Sequence, residues 1–203
     1  MPKRPYTMQR RAELAAETRA RLVRAAVALH AEKGPLTTTY ALIAERAQVS
    51  PQTVYNHFPD PDALFGACTG HVLDRAPPLG PDSYRSGRSP AARLRLLVEA
   101  VFARQAYLEP WSRHSSHEAA LIPALRDILA RGDSRLRDLI ADAVAPERVA
   151  SPEFVDAAFV LLGYPAWRLF TEGRSGADAA RIAGDCLAGL LPVLTQPKPK
   201  GKP

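Results

Sequence analysis

Apolar residues recur at helical spacing through most of this chain, and no long segment alternates as a strand would. Leu22, Val23, Ala26, Val27 and Leu29 put one buried face on a helix from about Arg11 to Lys33, which Gly34-Pro35 ends. Tyr40, Ile43, Ala44 and Ala47 mark the inner face of a short second helix, with Thr38 as its cap. Gln48-Val49-Ser50 is a turn with Val49 as its plug. Ser50-Pro51 then restarts the helix, a capping hydroxyl followed by proline where no N–H is needed. Val54 and Phe58 bury one side of this third helix. Asp60 caps a fourth, which carries Leu64, Phe65, Cys68 and Val72 and stops before Pro77-Pro78.

Residues 77–90 read as a loop. Helices are predicted beyond it from Pro90 to about Leu108, Pro110 to about Glu118, Ile122 to Val144, Pro152 to Thr171 with a kink at Pro165, and Gly176 to Leu194. The fold class is therefore all-α, with about nine helices. An N-terminal three-helix helix-turn-helix domain (1–58, with a basic arm) precedes a longer helical domain (59–195). Residues 1–10 are expected to be disordered or a partly ordered arm, and residues 196–203 a disordered basic tail. The last two helices are apolar around most of their circumference. Such helices need cover on several sides, and a second copy of the same pair would provide it, which predicts a homodimer through them.

The third helix leaves Gln52, Thr53, Tyr55, Asn56 and His57 facing outward. A short helix that presents amide, hydroxyl, phenol and imidazole groups is suited to reading a DNA groove. Gln52 and Asn56, four apart, share a face, and each can hydrogen-bond an adenine edge in a bidentate manner. Charge agrees: residues 1–58 hold nine Lys/Arg against four acids, residues 59–194 fifteen against seventeen, and the tail three lysines against none. The excess coincides with the helix-turn-helix, as a phosphate-binding module requires.

The positions from Arg19 to Lys33 with Gly34, then Thr38, Ile43-Ala44, Ala47, Val49-Ser50, Thr53, Tyr55, His57-Phe58 and Leu64-Phe65 resemble the DNA-binding domain of TetR-family transcriptional repressors. Pro61 stands where that family usually has a phosphate-binding Lys, and His30 where it has an aromatic core residue. The resemblance implies that Thr38, Thr53 and His57 hold phosphates and that Tyr55 touches bases or phosphate. With Ser50, Pro51, Gln52 and Asn56 these form the expected DNA-binding set. It also implies dimerisation through the last helices, double-stranded operator DNA as partner, and release by a small-molecule effector.

Tyr107, Trp111, His114, His117 and Glu118 gather aromatic and titratable groups in one stretch. With Phe102, Phe159, Tyr164 and Trp167 they read as the wall of an effector pocket. Two alternatives stand beside this ligand-responsive regulator. His114, His117 and Glu118 have helical spacing that a metal-dependent enzyme or sensor would use, although no HExxH motif and no Cys partner accompany them. An architectural DNA binder without effector is the other, but it needs no second domain of this length. A Gly-rich phosphate loop and a nucleophile elbow are both missing, so neither an enzyme nor a cofactor is expected. Cys68 and Cys186 lack ligand spacing and read as small buried hydrophobes. No run of 18 apolar residues occurs, and the N-terminus is basic and polar, so a cytoplasmic protein without membrane contact is expected.

Overall fold

The computed structural model describes residues 4–145 and 147–197. Nine α-helices run through these described residues: α1 (Arg4–Lys33), α2 (Tyr40–Ala47), α3 (Pro51–His57), α4 (Pro61–Leu73), α5 (Pro90–Glu118), α6 (Pro123–Val144), α7 (Pro152–Leu162), α8 (Tyr164–Thr171) and α9 (Gly176–Leu194). The all-α expectation holds. The chain forms two compact units, Met1–Arg75 with Arg113–Arg126, and Ala76–Ser112 with Asp127–Pro203.

The first unit is built on the predicted apolar positions. Leu22, Ala26 and Leu29 of α1, Ile43 and Ala44 of α2, Val54 and Phe58, and Leu64 and Cys68 of α4 form one buried cluster. Burial pushes the Cys68 thiol up to about 12, which leaves it an inert core group. Cys186 differs from expectation, being exposed on α9. α1 begins at Arg4, so a helix replaces the expected disorder over residues 4–10; residues 1–3 lie outside the described ones.

In the second unit, Leu94, Leu97, Val98, Val101 and Phe102 of α5 meet Ile140 and Val144 of α6, Phe154, Ala158 and Leu162 of α7, Trp167 of α8 and Leu187 of α9. The 77–90 loop is more than a connector, because Tyr84 is fully buried and its hydroxyl donates to Asp142 Oδ2 at 2.5 Å. Burial, then that carboxylate, holds the phenol well above its ordinary range. Arg93, also buried, donates to the Ala143 carbonyl at 2.6 Å and pairs with the Glu147 carboxylate, tying the start of α5 to the end of α6.

Three boundaries differ from the predicted ones. Pro110 lies inside α5 instead of opening a new helix. Proline forfeits one ladder bond and crowds the preceding turn, but the helix is held on both sides of it, by Leu94–Phe102 in one core and by buried Glu118 beyond. The predicted helix ending at Thr171 is two helices: Gly163, extended at φ −67° and ψ 158°, closes α7 and opens α8. Pro165 thus sits in a first turn, where its missing N–H costs nothing, and produces no mid-helix kink. Strands also occur, contrary to expectation. β1 (Arg148–Ala150) pairs antiparallel with β2 (Thr195–Pro197), Val149 opposite Gln196, so the tail is ordered through Pro197. The rest of the predicted disordered tail, residues 198–203, lies outside the described residues.

Candidate nucleic-acid interface and effector cavity

The turn between α1 and α2 begins at Gly34, whose φ of +81° is left-handed backbone that favours glycine. The Thr38 hydroxyl donates back to the Gly34 carbonyl at 2.8 Å, and Thr39 caps α2 by accepting from Leu42 N. The predicted cap is therefore displaced by one residue. Thr39 has the extended backbone a cap requires, whereas the Thr38 side chain is already used within the turn. α2 closes at Gln48, left-handed at φ 54°, which lets Val49 N reach the Ala44 carbonyl at 3.0 Å. Val49 is half-buried against the core.

Ser50 accepts from Thr53 N at 3.2 Å, and Pro51 opens α3. Val54 and Phe58 are both fully buried beneath this helix. Its far end is also held: the Tyr40 hydroxyl donates to the Phe58 carbonyl at 2.8 Å, and the Arg19 guanidinium lies 4.4 Å from the Phe58 ring centre. Tyr40 packs against Tyr55 with ring centres 4.9 Å apart, which fixes Tyr55 while 54% of it remains exposed. Gln52 and Asn56 are exposed and paired, with Gln52 Nε2 donating to Asn56 Oδ1 at 3.0 Å. Ser50 and Pro51 are exposed, and Thr53 and His57 half-buried. Seven of the eight predicted DNA-contacting residues thus lie on α3 or at its cap, with Thr38 in the turn before α2. Pro61 opens α4 from an exposed position.

Arg46 grips both oxygens of Glu32 at 2.8 Å, bracing α2 against α1, and its guanidinium holds the Glu32 carboxyl below the usual range. His30 takes the aromatic position in the core, 6.1 Å from the Phe65 ring; burial lowers its pKa to about 4 and leaves it neutral.

The second unit holds an open cavity of about 600 Å³ lined by Glu99, Phe102, Ala103 and Ala106 of α5, Trp167 and Thr171 of α8, and Gly176, Ala177 and Ala180 of α9. Phe102 and Trp167 are the predicted effector residues that line it. Tyr164 stacks on Trp167 at 5.7 Å and donates to Glu109 Oε1 at 3.5 Å, so it supports the wall from outside the lining. Tyr107 packs against Trp111 at 5.9 Å, and Phe159 sits 4.1 Å beneath the Arg137 guanidinium; none of these three lines the cavity. His114, His117 and Glu118 belong to the first unit. His117 is exposed, His114 half-buried, and Glu118 buried with Oε1 accepting from Leu36 N at 3.2 Å. No group of three or more His, Cys, Asp or Glu among the described residues is placed to hold a metal ion.

Residues 22–68 match the family model of bacterial regulatory proteins of the tetR family. A TetR-family transcriptional regulator from Rhodococcus sp. has the same fold over 85% of this chain and 99% of its own, with TM-score 0.64 and 26% identity. The matched segment and the fold are those of TetR-family transcriptional regulators. Residues 22–68 are thus similar to the DNA-binding segment of such regulators. A TetR regulator from Haloarcula marismortui shares the fold at 16% identity and TM-score 0.63, over 89% of this chain and 100% of its own. The multidrug binding protein EbrR, in complex with imidazole, shares it at 20% and 0.56, over 86% and 95%. A comparison with curated proteins returned no match.

Sequence reasoning missed much of the cavity of this TetR-family fold, because alanine and glycine walls carry no chemical signal and Glu99 looks like any charge on a solvated face. Arg19 over Phe58 was equally silent, as one of several arginines on α1. No described helix is long and apolar enough to cross a membrane.

Proposed function

We propose that this protein is a TetR-family regulator, a cytoplasmic, ligand-responsive repressor that binds a palindromic operator as a homodimer and is released by a small-molecule effector. The observation that carries the reading is α3. Its buried side is anchored by Val54 and Phe58, and its outward side displays Gln52, Tyr55 and Asn56 held in place by neighbouring groups. That combination reads bases with little ordering cost on binding. Thr38, Ser50, Pro51, Thr53 and His57 serve as backbone contacts flanking it. Residues 1–58 form the DNA-binding domain in this reading, and residues 59–195 the effector and dimerisation domain.

Two features support the rest. Val160, Leu169 and Val193 are exposed by 67%, 69% and 75% on α7, α8 and α9, apolar side chains that a second copy would cover. The cavity walled by Phe102 and Trp167 has the volume and apolar character of a small-molecule site. EbrR is a multidrug binding protein solved with imidazole and with proflavin; the binding role, not the ligand, is what we carry across. The effector acts by binding more tightly to a conformation whose two α3 helices are wrongly spaced for DNA.

Selection from random duplexes tests the reading. It should return an inverted repeat with half-sites about 10 base pairs apart, or a multiple of that, as two-fold symmetry requires. A single asymmetric site would contradict it.

A further inference from the structure

Glu118 is a carboxylate in an unusual place. It is only 5% exposed, its Oε1 accepts from Leu36 N at 3.2 Å, and its Oε2 is buried with no hydrogen-bond partner. The carboxylate lies against the α carbon of Gly34, so closely that a β carbon there would fall 2.3 Å from Oε1. A buried carboxylate with one oxygen unpaired is a costly way to fill space, and an apolar side chain of similar size would stabilise the unit more. What it does supply is direction. One hydrogen bond and one close contact fix the α1–α2 turn at two successive points, Gly34 and Leu36.

That turn leads directly into the DNA-reading elements. The Thr38 hydroxyl is bound to the Gly34 carbonyl at 2.8 Å, and Thr39 caps α2. Glu118 itself comes from α5, the helix that carries Glu99, Phe102, Ala103 and Ala106 of the cavity wall. Between Ala106 and Glu118 lies Pro110, which deprives α5 of the ladder bond to the Ala106 carbonyl and leaves a weak point.

We propose that Glu118 is a positioning residue for DNA binding: through its acceptor oxygen, α5 sets the α1–α2 turn and with it Thr38 and the start of α2. The inference rests on the reading of Thr38 and α3 as the DNA-contacting surface. It makes length and acceptor capacity the required properties of residue 118, and charge dispensable.

Three variants separate these properties. Glu118→Gln keeps the reach and the acceptor oxygen but loses the charge. Glu118→Asp keeps the charge but is one methylene short, and Glu118→Ala removes everything. Binding is measured by fluorescence anisotropy on a labelled duplex carrying the operator selected by the wild-type protein, and exchange of the Leu36 amide is followed in the same proteins without DNA. Glu118→Gln should match wild type in both. Glu118→Asp and Glu118→Ala should lose about tenfold in affinity, as removal of one hydrogen bond allows, with faster exchange confined to the turn. Wild-type affinity in Glu118→Asp, or a loss in Glu118→Gln equal to that in Glu118→Ala, would overturn the inference alone. So would loss of folding in Glu118→Asp, which would make the carboxylate a general support of the core. A wild-type protein that selects no duplex would overturn the DNA-contact reading and this inference with it.

Discussion

Gln52 and Asn56 are hydrogen-bonded to each other across one turn of α3, Nε2 to Oδ1 at 3.0 Å. Each amide keeps donors and an acceptor lone pair for a base edge, and each limits the rotamers open to the other. Gln52→Ala and Asn56→Ala should each relax specificity at one operator position, by about 1–3 kcal/mol for a bidentate contact. Because either change also breaks the pair, the double variant should lose less than the sum. Binding to operators substituted one base pair at a time measures both effects. Equal losses at every position would remove the base-reading role.

The helix-turn-helix was legible because its signals are local. Ser50-Pro51, the spacing of Val54 and Phe58, and Gly34 each constrain the backbone through one or two residues. The cap of α2 was misplaced by one because Thr38 and Thr39 offer the same hydroxyl, and only the backbone at Thr39 decides between them. Pro110 and Pro165 both looked like interruptions. Proline inside α5 and proline in the first turn of α8 are distinguished by neighbouring packing and by Gly163, which composition does not display. β1 and β2 are three residues each, too short for alternation to register. The pocket residues were legible only where aromatic, as with Phe102 and Trp167.

His30 should give the protein an acid-sensitive stability. Its native pKa, about 4, lies below the ordinary 6.5 because burial opposes the charged form. Between those values the unfolded chain binds more protons than the native one. Stability from this group is therefore fully present above pH 6.5 and falls as pH drops towards 4, by about 3 kcal/mol at most. His30→Phe should flatten that slope in denaturant titrations at pH 7 and pH 4.5. An unchanged slope would show that His30 does not control it.

Gln48 is the one non-glycine residue with positive φ among those described. Left-handed backbone costs a side-chain-bearing residue about 1–2 kcal/mol, and glycine's extra unfolded-state entropy returns part of that. Gln48→Gly should therefore raise the stability of the unit by up to about 1 kcal/mol, read as a higher denaturation midpoint at constant slope. A lower midpoint would mean that the Gln48 side chain makes a contribution exceeding the strain.

α9 separates assembly from folding. Leu187 is fully buried in the core of its own chain, whereas Val193 is 75% exposed. Val193→Asp should yield a folded monomer with much weakened operator binding. Leu187→Ala should instead cost about 2–5 kcal/mol of stability through the cavity it leaves. Sedimentation and thermal melting of the two proteins distinguish these outcomes, and a dimeric Val193→Asp protein would move the interface elsewhere.

The most direct measurement is a hydroxyl-radical footprint of the protein on its selected operator, beside one of the Gln52→Ala/Asn56→Ala double variant. Two α3 helices seated in successive major grooves should protect two equivalent stretches on one face of the duplex, about 10 base pairs apart. The double variant should lose both stretches together at the same protein concentration. A single protected stretch, or protection that survives in the double variant, would contradict recognition by paired α3 helices.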